Sequence, residues 1–323
     1  MTLALLLFAV TLQDRIELSN RAAYHFAEGQ HAEAEKLWLR ALAIPDVPLR
    51  AKVTSNLAAL YKQTEQFEKA EMQYKLTHTL RLEAHGSNHA DTALALNNLA
   101  GLHIIRGQYR IAEMELVEAL QATGLRTADR AAILMNLGHL CRLEGRFSEA
   151  RRHLEASLPL QTERSIAWNS LGMLAEEEHK MEEARDLFKQ SLGKVYRPGV
   201  AANLARVELH FGNLPVARQL LQGVLRSQIP ALLRASALET QAALLLTEAK
   251  RNDALAAFDQ SLALREKVLG TDHPALIPLL KSFAVTLHAA QQHKAASRLE
   301  ARTRRLLARQ PVAPAIDWHA LRP

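Results

Sequence analysis

Cysteine occurs once in the 323 residues, glycine 13 times, proline 11 times, and aromatic residues make up only 5%. Each scarcity removes a class of structure. A lone Cys141 permits neither an internal disulfide framework nor a cysteine-built zinc cluster. Its neighbourhood, Leu140-Cys141-Arg142-Leu143, looks like a helix core position, where a thiol acts as a small buried hydrophobe. The low glycine, proline and aromatic content argues against a sandwich, a barrel or a disordered chain. Alanine, leucine, glutamate, glutamine and arginine are abundant instead and favour helices. The expected fold class is all-α.

Catalytic signatures are also lacking. There is no glycine-rich phosphate loop, no GxSxG elbow and no HExxH pair. The nearest metal-like spacing is His85-Gly-Ser-Asn-His89-Ala-Asp91, but His273 occupies the same place as His89 in a repeated segment, so the repeat explains it better than a metal does. With no identifiable nucleophile, base, cofactor site or metal site, the expectation is a protein that is not an enzyme.

Long apolar runs are missing apart from Leu3 to Leu12, LALLLFAVTL. Spanning a bilayer as a helix takes roughly 20 residues, so this run is too short. Its length fits the apolar region of a secretory signal, which favours an exported or periplasmic location over a cytoplasmic one. Neither a preceding Lys or Arg nor a clean small-x-small site accompanies it, and a short helix packing on the adjoining part of the chain is the alternative. The net charge of +6 is unevenly placed. Residues 281–323 carry eight basic and two acidic side chains, so the whole surplus lies there and the preceding body is neutral.

An internal repeat governs the rest. Four segments read NLAALYKQTEQFEKA from Asn56, NLAGLHIIRGQYRIA from Asn98, NLGHLCRLEGRFSEA from Asn136 and NLARVELHFGNLPVA from Asn203. Small residues such as Ala58, Ala100, Gly138, Gly172 and Ala205 let two helices approach closely. Large ones such as Phe67, Tyr109, Phe147, Met181 and Leu214 fill the corner. A second small residue then sits where the helices cross, because a larger side chain there would overpack. That crossing alanine recurs eight times, at positions 34, 70, 112, 150, 184, 217, 254 and 296, at intervals of 33 to 42 residues.

These residues resemble the tetratricopeptide repeat, a helix-turn-helix unit of 34 residues. The resemblance implies a right-handed α-solenoid of about eight units over residues 14–309, with an apolar segment at 1–13 and a proline-containing tail at 310–323. Two longer intervals, around Gly86-Ser-Asn-His89 and Gly270-Thr-Asp-His273, look like the kinesin-light-chain type of repeat, which is widespread in bacterial proteins. At both, Gly is expected to end a lengthened helix in the left-handed conformation, and Asn88 or Asp272 to cap the next helix.

In such a solenoid the first helix of each pair lines the concave surface. The position two before the small residue is Asn20, Asn56, Asn98, Asn136, Ser170, Asn203, Thr240 and Ser282. A carboxamide both donates and accepts, so a ladder of asparagines could grip the backbone of an extended peptide, and the resemblance implies the same use. The other reading is that these side chains bond neighbouring helices and keep them in register. His139, Arg142, Arg206 and His210 fall on the same expected face and would shape preference, with Glu176 and Glu177 between them. The Lys and Arg clamp of repeats that hold acidic chaperone tails is absent.

The expected function is a non-catalytic interaction scaffold whose partner is a protein or peptide. Two alternatives stay open. One is an accessory subunit of an enzyme complex. The other is contact with nucleic acid or an anionic surface through the basic helix near residues 293–310, although that helix lacks aromatics that could stack bases.

Overall fold

The computed structural model describes residues 12–42, 46–193 and 196–308. Residues 1–11 of the apolar segment expected at 1–13, and the whole tail expected at 310–323, lie outside the described residues. Two compact units divide the chain between Lys194 and Val195.

Among its described residues the first unit holds five helix pairs: α1 (Leu12–Ala27) with α2 (His31–Leu42), α3 (Val47–Gln63) with α4 (Phe67–His85), α5 (Ala90–Ile105) with α6 (Tyr109–Leu120), α7 (Thr127–Leu143) with α8 (Phe147–Ser157), and α9 (Ser165–Glu177) with α10 (Met181–Leu192). Among its described residues the second holds three: α11 (Pro198–His210) with α12 (Leu214–Arg226), α13 (Ala231–Thr247) with α14 (Arg251–Leu269), and α15 (Ile277–Ala289) with α16 (His293–Ala308). The described residues contain no β-strand, only an isolated bridge between His89 and Thr123. Within each unit every helix packs on its pair-mate and then on the next pair, giving the helix-turn-helix solenoid arrangement.

The crossing residues behave as their size requires. All eight alanines, from Ala34 to Ala296, have no exposed surface, and each is the fourth residue of its second helix. At two first-helix positions even alanine is too large. A methyl at Gly138 would lie 2.6 Å from Leu154 Cγ, and one at Gly172 would lie 2.7 Å from Phe188 Cε1.

One backbone device closes every pair. Five residues before each crossing alanine, the chain turns through positive φ: Gly29, Glu65, Gly107, Gly145, His179, Gly212, Ala249 and Gln291. The next residue donates its amide to a carbonyl five residues back, as Arg146 does to Cys141 at 2.8 Å and Lys180 to Ala175 at 2.8 Å. This is the Schellman closure, which satisfies carbonyls left open at a helix end. A side chain in that conformation costs roughly 1–2 kcal/mol, partly offset by the unfolded-state freedom that glycine adds. Ala249, at φ 59°, is therefore expected to yield about 0.5–1 kcal/mol of extra stability on Ala249→Gly. A urea-denaturation midpoint that falls or stays level would contradict this.

The two long junctions correct one expectation. Gly86 and Gly270 do end the 19-residue helices α4 and α14 with positive φ, but their ψ values of 170° and 161° are extended rather than left-handed helical. The caps are also one residue further on. His89 Nδ1 accepts the Asp91 amide and His273 Nδ1 accepts the Ala275 amide, both at 3.1 Å. Asn88 instead offers its carbonyl to the Thr123 amide at 2.9 Å, which turns its peptide toward the following junction.

Ion pairs join neighbouring helix pairs at their edges. Arg146 reaches Glu113 at 2.7 Å and Arg151 reaches Glu183 at 2.8 Å, while Arg106 pairs with Glu71 and Arg302 with Glu266. Burial alone would raise the Glu71 carboxyl, but Lys75, Arg106 and His103 around it hold it below the usual range. Cys141 is fully buried, and burial raises its thiol even though Arg146 donates to the sulfur at 2.8 Å. It is a core residue.

Candidate functional site

The asparagine series of the first unit lies on the first helices of successive pairs, one on each. Asn56 on α3, Asn98 on α5 and Asn136 on α7 are half-buried there, and Asn20 on α1 is exposed. Asn203 is half-buried on α11 of the second unit. Two hydroxyl members turn back on their own helices: Ser170 donates to the Ile166 carbonyl at 3.1 Å and Thr240 to the Ser236 carbonyl at 3.3 Å.

α3, α5 and α7 enclose a cavity of ≈ 200 Å³ lined by Lys62, Asn97, Asn98, Gly101, Ile104, Ile105, Asn136 and His139. Three of the residues expected from the sequence, Asn98, Asn136 and His139, thus meet in one place. Asn136 is already partly used. Its Nδ2 donates to Asn97 Oδ1 at 2.9 Å across two helix pairs, which is the register-keeping role. One amide hydrogen and the carbonyl oxygen of Asn136 remain for a ligand. The Asn98 carboxamide makes no hydrogen bond to another described residue.

Electrostatics around the cavity are set by burial. Lys62 is half-buried at the end of α3, and burial is the sole cause lowering its ammonium, since no carboxylate pairs with it among the described residues. Its Nζ stands over the Tyr74 ring, 6.0 Å from the centroid. His139 is pushed down to about 4 by burial and by the Arg142 cation, so it is neutral at pH 7. Ile104 and Ile105 give the cavity an apolar side, and Gly101 leaves it open, because a methyl there would meet only Asn136 Nδ2 at 3.8 Å.

The remaining expected residues lie elsewhere. Arg142 is buried and paired with Glu177, so its charge serves α9 as much as any ligand. Arg206 donates to Asn203 Oδ1 at 3.3 Å on α11. His210 is exposed and sets its ring edge against Phe211, centroids 5.5 Å apart. Sequence reasoning missed Lys62, Asn97 and the two isoleucines. Lys62 lies six residues after Asn56 on α3, about 120° round the helix from it, so helical phase does not group the two.

No described helix is long and apolar enough to cross a membrane. Among the described residues no cluster of three His, Cys, Asp or Glu side chains could hold a metal.

Tetratricopeptide-repeat models match residues 49–124 and 129–193, and a second such model matches 234–275. No curated protein matches the sequence. Among solved structures, the chain is similar to a tetratricopeptide repeat protein from Parabacteroides merdae ATCC 43184, with 17% identity and TM-score 0.53 over 80% of this chain and 98% of that one. It is also similar to the APC/C hetero-tetramer Cut9-Hcn1, with 14% identity and TM-score 0.68 over 91% of this chain and 53% of that one. A third likeness is to PilW, a widely conserved type IV pilus biogenesis factor, with 16% identity and TM-score 0.52 over 66% and 93%. At such identities these likenesses concern the fold alone.

Proposed function

This chain is a tetratricopeptide-repeat protein, a protein–protein interaction scaffold, and from that premise we propose that its first unit binds an extended peptide across α3, α5 and α7 without catalysing a reaction. The observation that carries the proposal is the half-buried Lys62, which has no counter-ion among the described residues, beside the unbonded Asn98 carboxamide in one cavity. A buried cation is stabilised by an opposite charge, so the peptide segment would place an acidic group there. Asn98 and the remaining valences of Asn136 would bond its backbone, and Ile104 with Ile105 would take an adjoining apolar side chain. The volume of ≈ 200 Å³ is below the roughly 300–1,000 Å³ of small-molecule sites and suits a side chain.

Selection from a random-peptide display library on the full chain tests this. The expected result is enrichment of peptides with an acidic residue whose binding falls roughly tenfold or more in Lys62→Met, the equivalent of about 1.4 kcal/mol. Binding should also be abolished in Gly101→Met, which fills the cavity from a position free of core contacts. Peptides that bind Gly101→Met as well as the parent chain would sink the proposal.

A second reading has its own observation. Arg298, Arg304 and Arg305 surround a hollow of ≈ 520 Å³ on α16, where an anionic surface could lie. Steep salt dependence lost on substituting these arginines would distinguish it. Arg302 belongs to the fold instead, through Glu266 and the Thr271 carbonyl.

A further inference from the structure

The turn of the last helix pair brings two imidazoles together. His288 lies near the end of α15 and His293 opens α16. Between them Gln291 turns through φ 61° and the Gln292 amide returns to the Leu287 carbonyl at 2.9 Å, the same closure used at every pair. The residues eight and three before the crossing alanine flank that closure. In the first pair they are Phe26 and His31, with rings 5.6 Å apart. In the last pair alone are both histidine, with ring centroids 5.4 Å apart.

The two rings face each other through nitrogen. His288 Nδ1 lies 3.1 Å from His293 Nδ1. A hydrogen bond at this distance has a proton on one of the two nitrogens, and a metal ion that replaces the proton would take a lone pair from each. Zinc–imidazole bonds are about 2.0–2.1 Å, so two nitrogens on one ion at right-angled to tetrahedral geometry stand roughly 2.9–3.4 Å apart. The observed separation falls inside this window. The far nitrogen of the same ring is also engaged, since His288 Nε2 lies 2.9 Å from Glu300 Oε1. A carboxylate on the non-ligating nitrogen is the arrangement that fixes the tautomer and raises the basicity of a metal-binding histidine.

We infer that His288 and His293 bind one divalent transition-metal ion of the kind imidazole prefers, Cu²⁺, Ni²⁺ or Zn²⁺, with Glu300 orienting His288. The chain supplies two ligands here, and water or a donor from a bound partner completes the coordination. Copper binds most tightly in the general order of such ions. The ion ties the end of α15 to the start of α16 and so stabilises the last pair in proportion to its occupancy. The His85–His89 pair is different: its rings stack at 4.5 Å, and His89 Nδ1 is already the cap of α5.

Calorimetric titration of the full chain with Ni²⁺ and Zn²⁺ alone tests the site. The expected result is one equivalent bound, lost in His293→Ala and in His288→Ala and kept in His85→Ala. Glu300→Gln should leave the helical circular dichroism unchanged yet weaken binding by about 10-fold or more. Zn²⁺ should raise the melting temperature of the parent chain and not that of His293→Ala. Equal binding by His293→Ala, or full affinity in Glu300→Gln, would show scattered surface histidines at work and overturn the inference.

Discussion

Phe188→Ala is expected to cost about 3–5 kcal/mol of stability, the range for emptying a fully buried aromatic site. Phe188 has no exposed surface, and its ring fills the space left by Gly172, whose missing methyl would stand 2.7 Å from Cε1 and 2.8 Å from Cδ1. The reverse change, Gly172→Ala, sets two terms against each other. Alanine gains about 1 kcal/mol of helix propensity over glycine, whereas overpacking costs about 1–3 kcal/mol. The net expectation is a loss of about 1 kcal/mol. The two changes must also couple, because the new methyl occupies part of the hole that Phe188→Ala leaves. The double variant should be more stable than the sum of the single losses by about 1 kcal/mol or more. Urea denaturation of all four proteins measures this, and strict additivity would show that α9 and α10 do not cross at these two residues.

Acid should act on the fold through His139. Its folded pKa of about 4 lies below the unfolded value of about 6.5. Between those values the unfolded chain binds a proton that the folded chain refuses, so stability falls as pH falls from about 6.5 toward 4 and is fully present above that window. From pH 7.5 to 4.5 the loss assigned to this residue is about 2–3 kcal/mol. Carboxylates titrate in the same range, so the informative quantity is the gap between the parent chain and His139→Gln, which has no proton to refuse. That gap should move by about 2–3 kcal/mol in favour of the variant as pH falls. A gap constant with pH would mean that the ring is solvated and that Arg142 does not act on it.

Much of the fold was legible because its cause is local and periodic. A helix crossing tolerates only a small side chain, so the eight alanines had to recur, and they mark the fourth residue of each second helix without exception. The left-handed closure five residues earlier is just as regular in backbone but was not visible as a pattern. Glycine takes it in four pairs, and Glu65, His179, Ala249 and Gln291 take it in the others. Tertiary packing there outweighs the strain of a side chain. The caps at Asn88 and Asp272 were misplaced by one residue because Asn, Asp and a histidine ring can all accept an amide, and only the path of the chain selects among them.

The candidate site was legible to about the same depth. Helical phase groups Asn136 with His139 and the repeat makes Asn98 equivalent to Asn136, and the three do line one cavity. Lys62 comes from the far end of another helix, and nothing near it in the chain announces that it lacks a counter-ion. Arg142 reads as an available cation until Glu177, 35 residues away, is seen to hold it.

By itself, then, the sequence determined the period, the pairing of helices and the buried face of each, since these depend on side-chain volume at spacings of three and four residues. Only the tertiary structure decided which polar groups on the inner face are already spent and which remain for a partner. Such bonding joins residues more than 30 positions apart, as Asn136 joins Asn97, and a separation of that length is governed by how pairs stack and not by any local pattern.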